Sequence, residues 1–421
     1  MTATVKHRKG CRLCASMKVE RVVELDPIPL SENYSTDREV ARNTPRFPVD
    51  VYMCADCSHV QQLDVIDSKS LWDSYTYYSG DAKGMPEHFK EMAAKFIAKA
   101  KPPEGALVVD IGSNDGSLLK PFLAAGCRVI GVDPATEVAE KANADGIPTI
   151  ASLMTLDVAE KIRAEHGPAH IICAFNVFAH ADDLGEMVDC VRTMLHPDGL
   201  FFFEAQYLRD IIDGVLIATI FHEHMSHHSA TPLAPFLDRH GLELIATEHM
   251  PIQHGSLVGT VQLKGGPRKP DASLSELLED EKTRGLTELS TLRAFNDQIQ
   301  GLRRKTAELT SKWKSEGKSI AGYGAARSGP TLITQLGLTG KLDFIVDDHT
   351  QKVGKYETGD GIVVVPTAEL LERQPDYTVI LAWVHSKKII ESNPEYLKRG
   401  GKFVVLCPAT RVVSKDGDIA L

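Results

Sequence analysis

The segment that most constrains the fold is residues 106–134, ALVVDIGSNDGSLLKPFLAAGCRVIGVDP. An apolar run is followed by a turn with two glycines, a helical stretch and a second apolar run. In α/β proteins this order corresponds to a strand, a helix and a second, parallel strand. We therefore predict that these residues open a doubly wound α/β sheet.

The alternation of strands and helices continues after this unit. Strands are predicted at AHIICAFNVFAH and GLFFFEAQYL, and LELIATEHMPIQHGSLVGTVQLKGG predicts a β-hairpin that closes the sheet. Residues 272–316 are charged, with spaced leucines and no internal proline, and predict one or two long surface helices. A second strand and glycine turn, KSIAGYGAARSGPTLITQLG, begins another α/β layer.

The composition narrows the classes of partner. A formal net charge of -10 argues against a surface that binds polyanions, so nucleic acid is not expected as a partner. No apolar run approaches the roughly 20 residues of a membrane-spanning helix. The start, MTATVKHRKGCRLC, lacks the apolar core of a signal peptide. We expect a cytoplasmic protein with no membrane partner.

Two C-x-x-C pairs, CRLC and CADC, place Cys11, Cys14, Cys54 and Cys57 in two knuckles. Four thiolates arranged in this way suit one tetrahedral zinc ion. The separation between the two pairs exceeds the usual zinc-ribbon spacing, so a small fold has to bring them together. Because four protein ligands close the coordination shell, we predict a structural zinc site that performs no chemistry.

Other interpretations of the cysteines stay open at this point. The two pairs could be redox dithiols or unpaired thiols, and the flanking His7 or His59 could replace one ligand. The remaining four cysteines lie singly in the sequence. They are predicted to be small core residues in a reducing compartment.

The first glycine turn indicates the cofactor. A dinucleotide-binding turn would follow G-x-G-x-x-G, and VVDIGSNDGSLL lacks that spacing. The turn resembles the S-adenosylmethionine (SAM) loop of class I methyltransferases, while nicotinamide binding remains the alternative. Asp133 ends the next strand, where an acidic side chain can accept hydrogen bonds from both ribose hydroxyls. The predicted cofactor-binding residues are Asp110, Gly112, Asn114, Asp115, Asp133 and Asn176; Asp110 could instead cap the loop.

Residues 221–229, FHEHMSHHS, contain four histidines and a glutamate. A metalloprotease site would read H-E-x-x-H, which puts two imidazoles on one helix face. After His222 and Glu223, position 226 is serine, and between His224 and His228 the expected glutamate is replaced by Met225. A catalytic metal is therefore disfavoured.

The knuckle pairs, DIGSNDGSLL, NVFAHADDL, FHEHMSHHS, HGSL and GYGAARSG occur in this order along the chain. As a set they resemble the zinc-containing C-methyltransferases that act on nucleotide-linked keto-deoxysugars. The resemblance implies a zinc-binding domain at 1–75, a Rossmann-like class I methyltransferase domain at 76–265, and a helical plus α/β Rossmann-like domain at 266–421 that binds the substrate nucleotide. SAM and a structural zinc ion are the implied cofactors, a nucleotide-diphosphate sugar is the implied partner, and we expect a monomer.

The implied reaction removes a proton from C3 of the sugar, beside a C4 ketone, and methylates that carbon. Carried over by motif, His224 is the candidate base, and Glu223 orients it or polarises a substrate group. His180 would hydrogen-bond the keto oxygen, with Tyr75 or Tyr77 reaching it from the other side. The implied substrate-binding residues are His222, His254, Arg327 and Lys352. His227 and His228 would contact the catalytic residues without touching the substrate.

The chain departs from the family pattern at some positions. Phe221 stands where the family has tyrosine before HEH, so a hydroxyl is missing there. Loops expected to contact the substrate also differ. Two other interpretations therefore remain, a methyltransferase of another small molecule and a zinc-ribbon interaction protein with a degenerate methyltransferase fold.

Overall fold

The computed structural model describes residues 3–72, 78–82 and 84–420. The chain divides into two compact units, each built from three stretches of sequence. Unit 1 contains residues 1–20, 53–209 and 225–288, and unit 2 contains residues 21–52, 210–224 and 289–421.

The secondary structure is mixed α/β. The strands, in chain order, are β1 (Val5–His7), β2 (Val19–Val23), β3 (Tyr34–Ser35), β4 (Val51–Cys54), β5 (Val60–Gln62), β6 (Asp64–Ile66), β7 (Leu107–Ile111), β8 (Arg128–Asp133), β9 (Thr149–Ala151), β10 (Ala169–Phe175), β11 (Leu195–Gln206), β12 (Ser226–His227), β13 (Leu242–Met250), β14 (Ser256–Leu263), β15 (Ile320–Tyr323), β16 (Ile345–Val346), β17 (Tyr356–Glu357), β18 (Val364–Val365), β19 (Tyr377–Ile380), β20 (Lys402–Val405), β21 (Arg411–Ser414) and β22 (Gly417–Ala420).

The α-helices are α1 (Arg38–Arg42), α2 (Ser68–Trp72), α3 (Met85–Ala100), α4 (Leu119–Ala124), α5 (Thr136–Ala144), α6 (Leu156–His166), α7 (Leu184–Met194), α8 (Leu208–Asp213), α9 (Ala230–Arg239), α10 (Ala272–Thr283), α11 (Leu289–Ser315), α12 (Gly329–Gln335), α13 (Glu369–Arg373), α14 (Ser386–Ser392) and α15 (Pro394–Lys398). Short 3₁₀ turns cover Ser79–Asp81, Phe178–His180, Ile217–Thr219, Ile252–His254 and Trp383–His385. Among the described residues, every helix is too short or too polar to cross a membrane.

The main sheet of unit 1 has seven strands in the order β13-β14-β11-β10-β7-β8-β9. Strands β11, β10, β7, β8 and β9 are parallel, and β14 runs antiparallel to both β11 and β13. The predicted hairpin at the end of this sheet is confirmed. The strand order reverses between β7 and β10, and in open α/β sheets ligands bind beyond the carboxyl ends of the strands at such a point.

Both faces of this sheet are covered, as its apolar sequence requires. Along β7, Val109 packs into one hydrophobic cluster and Val108 into another, because neighbouring side chains of a strand point to opposite faces. On the second face, Phe96 of α3 stacks on Phe202 of β11 with ring centroids 3.8 Å apart. This packing fixes the strands whose ends carry the glycine turn.

The cysteine-bearing part of the chain forms a small β-structure. Strands β1 and β6 pair, and a second sheet has the order β12-β5-β4-β2. Strand β12 pairs antiparallel with β5, which places Ser226 opposite Gln61 and His227 opposite Val60. The histidine-rich stretch is therefore divided, and its second half is a buried strand of the zinc module.

Unit 2 contains a second seven-stranded sheet, in the order β18-β16-β15-β19-β20-β21-β22. Strands β18, β16, β15, β19 and β20 are parallel, and the last two are antiparallel. This is the strand order of a Rossmann-like domain, with β15 at the reversal point. The helices predicted at 272–316 are confirmed as α10, which belongs to unit 1, and α11, which belongs to unit 2.

The fold class is confirmed, and the division into three domains stays a prediction beside the two compact units. Residues 21–52 belong to unit 2 although they lie between the two cysteine pairs in the sequence. There β3 pairs with β17, and Asp26 forms an ion pair with Arg303 of α11. The chain passes between the units within β2 and within β4.

Candidate active site

The four predicted zinc ligands lie together. Their Sγ atoms are all within 4.8 Å of one another, with 3.5 Å between Cys11 and Cys57 and 3.6 Å between Cys14 and Cys54. A tetrahedron with Zn–S bonds of about 2.3 Å has edges of about 3.8 Å, so this set fits zinc. Four thiolates would complete the shell, so zinc bound by these residues would hold the module together.

The two flanking histidines have other partners. His7 Nδ1 lies 2.9 Å from an oxygen of Asp64, and His59 Nε2 lies 3.1 Å from Ser226 Oγ. Both rings are thereby engaged away from the thiolates. The interpretation in which either histidine replaces a cysteine is not supported.

The glycine turn after β7 requires glycine for two reasons. Gly112 has φ +70°, a left-handed conformation that side chains with a Cβ disfavour. A Cβ at this position would also lie 2.3 Å from Val177 Cγ2. Glycine thus lets the turn pack closely against Val177 at the carboxyl end of β7.

Replacing Gly112 with alanine should weaken SAM binding about tenfold or more, because both the left-handed backbone and the clash with Val177 displace the turn. The matched control is Gly126→Ala. Gly126 has φ +85°, and a Cβ added there would meet nothing within 4 Å, so this variant carries the backbone strain alone. Calorimetric SAM affinities for both variants check this, and equal losses would contradict the role of the close approach.

Two buried carboxylates lie beneath the glycine turn. Asp133 accepts hydrogen bonds from the backbone N–H groups of Asn114 and Ala135, both at 2.9 Å. Burial raises the pKa of Asp110 well above its usual value, and the neighbouring Asp133 adds to the effect. Asp110 Oδ1 is buried and accepts no hydrogen bond from the described part of the chain. The chemistry of these two acidic side chains fits the polar and cationic parts of SAM. Asp133 also stabilises the turn through its two backbone hydrogen bonds.

Two further residues predicted to bind the cofactor hold a neighbouring segment. Asn114 has φ +49°, and its Oδ1 accepts a hydrogen bond from Ser79 N at 2.8 Å. Asp115 Oδ2 accepts one from Gly80 N at 3.0 Å. They tie the 3₁₀ turn at 79–81 to the glycine turn.

A buried network that the sequence reasoning missed lies at the ends of β10 and β11. Glu204 is fully buried; its Oε2 lies 2.6 Å from His88 Nε2, and its Oε1 accepts a hydrogen bond from Asn176 Nδ2 at 3.3 Å. Asn176 N also donates to Glu204 O at 2.7 Å. These two bonds hold Asn176 in its left-handed conformation, φ +57°. The sequence signal of this network was a lone acid within the apolar run FFFEA.

Replacing Glu204 with glutamine should lower the free energy of unfolding by about 3 kcal/mol, because the change disrupts a buried hydrogen-bond network and leaves polar atoms of His88 and Asn176 poorly satisfied. SAM affinity should fall as well, since Asn176 loses its support. Glu248→Gln is the matched control, because the Lys95–Glu248 pair is largely exposed and should contribute at most about 1 kcal/mol. Chemical denaturation and calorimetry measure both effects; equal destabilisation would contradict this assignment.

His180 ends the 3₁₀ turn that follows Asn176. Its ring stacks on Trp72 of α2, with centroids 5.5 Å apart and planes 21° apart, and its backbone N–H donates to Val177 O at 2.8 Å. The stacking orients the imidazole, and Trp72 had not been predicted to contribute. Tyr75 and Tyr77, also predicted to reach the substrate, lie outside the described residues.

The first half of the histidine-rich stretch lies in unit 2. His224 is partly buried, and its Nδ1 lies 2.6 Å from Thr219 O. A carbonyl oxygen only accepts, so Nδ1 carries the hydrogen and Nε2 carries the lone pair. Desolvation lowers the pKa of His224 to about 4, with the Thr219 hydrogen bond opposing the shift. The ring is therefore neutral at pH 7, in one defined tautomer.

Glu223 and Arg327 were predicted to have separate roles, and the structure joins them in an ion pair. Burial raises the pKa of Glu223, and the charge of Arg327 opposes this. Glu223 is thus engaged by Arg327, whereas the observed orienting contact of His224 is Thr219. Lys352 likewise pairs with Glu32 at 2.8 Å and donates to Ala325 O at 2.8 Å in the second glycine turn.

The remaining predicted residues are dispersed. His222 Nε2 lies 3.2 Å from Phe47 O, and His254 lies exposed on the 3₁₀ turn before β14. His227 and His228 are buried in and beside β12. Phe221 contacts the ring of His224, with centroids 4.1 Å apart.

Family models match three successive parts of the chain. A zinc binding domain model matches residues 11–72, a methyltransferase domain model matches residues 85–247, and a C-methyltransferase C-terminal domain model matches residues 251–408. The C-methyltransferase NovU of Streptomyces niveus is 33% identical over 410 residues, which cover 97% of this chain and 98% of that protein. The chain belongs to the C-methyltransferase family. It is a SAM-dependent C-methyltransferase with a structural zinc site.

Other similarities cover less of the chain. A ubiquinone biosynthesis O-methyltransferase of Methylocella silvestris is 30% identical over 28% of this chain and 47% of that protein. The crystal structure of the PH0226 protein from Pyrococcus horikoshii has a TM-score of 0.38 and 15% identity, over 47% of this chain and all of that one.

Proposed function

We propose that this C-methyltransferase methylates C3 of a nucleotide-diphosphate 4-keto-deoxysugar. The observation that carries the proposal is the hydrogen bond between His224 Nδ1 and Thr219 O. It assigns the lone pair to Nε2, and a neutral imidazole with a defined lone pair is what a general base requires.

The reaction has two steps at one carbon. His224 Nε2 takes the C3 proton, and the C–H electron pair moves into a C3–C4 double bond as the ketone becomes an enolate. SAM, when bound, supplies an electrophilic methyl group. The enolate would then bond through C3 to that methyl carbon as the bond from the methyl group to the sulfonium sulfur breaks, the electron pair of that bond going to sulfur, and the C4 carbonyl would be restored. His180 donates to the enolate oxygen in this scheme, because developing negative charge must be met by a placed donor.

The low pKa of His224, about 4, defines what else the site must supply. A weak base removes a carbon-bound proton only if the enolate is stabilised as it forms. The stacked orientation of His180 on Trp72 supports this second role. Stabilisation of the enolate is therefore as important to the proposal as the base.

The nucleotide is assigned to unit 2. Its Rossmann-like sheet reverses strand order at β15, and the GYGAARSG turn follows that strand. Arg327 lies in this turn and Lys352 donates to its Ala325 carbonyl. Arginine and lysine are the side chains that bind diphosphate oxygens, so we assign the diphosphate to these two.

The test is incubation with methyl-labelled SAM and a panel of thymidine, guanosine and cytidine diphosphate keto-sugars, followed by mass spectrometry. One sugar should gain a label on carbon. Protection from thermal unfolding by the matching nucleoside diphosphate should accompany it. Carbon labelling of an acceptor without a nucleotide, with no protection by any diphosphate, would favour another small-molecule substrate and refute the proposal.

A further inference from the structure

The first zinc knuckle reaches into the methyltransferase domain through one side chain. Arg12 lies between the ligands Cys11 and Cys14, and its side chain is fully buried. Its backbone N–H donates to Gln61 Oε1 at 3.0 Å. The residue is therefore held on both sides by metal ligands and from across the module by β5.

The guanidinium of Arg12 contacts three separate segments of unit 1. It donates to the backbone carbonyls of Gln62 and Met225, the latter at 3.2 Å. It also pairs with Asp182 at 3.4 Å. Met225 directly follows His224 in the sequence and begins the segment 225–228, which contains β12. Asp182 lies two residues after His180.

The loop that carries His180 spans residues 176–183 and is held at three points. Asn176 is held by Glu204 at 3.3 Å, His180 by stacking on Trp72, and Asp182 by Arg12 and by Arg8 at 2.8 Å. Arg12 is the member of this set whose position depends on zinc, because the metal ligands on either side of it fix its backbone.

We propose that Arg12 is a positioning residue through which the zinc knuckle aligns the 176–183 loop and the 225–228 segment for catalysis. Zinc then contributes to turnover through geometry, although it performs no chemistry. The inference rests on the proposed function in one respect, the role of His180. If Arg12 has this role, loss of its contact with Asp182 should lower turnover much more than it weakens SAM binding. The reason is that Asn176 is held independently by Glu204.

The experiment compares Arg12→Met with Arg239→Met in the full-length, zinc-loaded protein. Arg239 of α9 also contacts the knuckle, donating to Leu13 O at 3.0 Å, and has no contact with the 176–183 loop among the described hydrogen bonds and ion pairs. Both variants should retain one zinc ion per chain. Arg12→Met should lower kcat about tenfold or more, with the SAM Kd changed less than about threefold, because small misplacements of catalytic groups cost large factors in rate.

Hydrogen exchange supplies a readout that does not depend on the acceptor. Amides of 176–183 and 225–228 should exchange about tenfold faster in Arg12→Met and unchanged in Arg239→Met. Equal effects of the two variants on kcat and exchange would overturn the proposal and leave the knuckle a purely stabilising element.

A second variant tests the same contact if Arg12→Met does not fold. Asp182→Asn weakens the same pair from a residue whose side chain is one-third exposed. It should speed exchange in 176–183 with zinc retained, and unchanged exchange would overturn the proposal. If no nucleotide sugar is methylated, the proposed function fails, while the exchange data still decide the role of Arg12.

Discussion

Replacing His224 with asparagine should lower kcat by about 10²–10⁴-fold, the usual contribution of a general base. The asparagine amide can keep the hydrogen bond to Thr219 O, which spans 2.6 Å in the native protein. It removes the Nε2 lone pair. SAM affinity should stay within about threefold, because the glycine turn and Asp133 are unchanged.

Solvent exchange separates the base from the other catalytic groups. With a SAM analogue that cannot donate a methyl group, the native enzyme should wash deuterium from solvent into C3 of the substrate, and His224→Asn should not. His240→Asn is the matched control, since His240 pairs with Asp189 at 3.2 Å and has no assigned role in catalysis. Undiminished exchange in His224→Asn would remove this residue as the base.

The pKa of His224 also sets the expected pH dependence. Its folded pKa of about 4 lies below the value of about 6.5 for an unperturbed histidine. Between these values the unfolded chain binds the proton and the folded chain does not. The contribution of His224 to stability is therefore complete above pH 6.5 and is lost as the pH falls toward 4. The acid limb of kcat/KM should likewise lie well below the pKa of about 6.5 of an unperturbed histidine.

Replacing Cys54 with serine should release zinc and destabilise the protein by several kcal/mol, because the free energy of zinc binding at such sites is free energy of folding. Cys54 ends β4 and is fully buried. Metal analysis and thermal unfolding should show both losses together. A chelator should reproduce them in the native chain.

Cys190→Ser is the control for this substitution. Cys190 is equally buried, in α7, and burial raises its pKa to about 12, so it is a neutral thiol. The control should keep its zinc and lose only the cost of burying a hydroxyl, about 1–3 kcal/mol. A folded, zinc-free and active Cys54→Ser protein would contradict the structural role of the metal.

Several features followed from short stretches of sequence. The C-x-x-C spacing predicted all four zinc ligands, since it suits two thiolates of one knuckle to a common metal. The glycine turn after an apolar strand predicted the methyltransferase sheet. In both cases the deciding geometry lies within a few residues, where backbone conformation limits what the side chains can do.

Other features arise from contacts between distant positions. Glu204 and His88 are 116 residues apart. The sequence FFFEA indicates that its acid is buried, but it does not show which residue that acid contacts. Glu223 and Arg327, predicted to act separately, pair across 104 positions. The histidine-rich stretch divides because Ser226 and His227 gain a strand partner in β5.

The α/β class and the four-cysteine cluster could be predicted from the sequence alone, because each depends on periodicity or spacing along short segments. The pairing of charges, the tautomer of His224 and the link from Arg12 to the 176–183 loop emerge only in the folded chain. Desolvation explains the difference: a charge or imidazole removed from water must find a partner wherever the packed chain brings one. The tertiary structure determines which residue becomes that partner, and the neighbouring sequence does not show it.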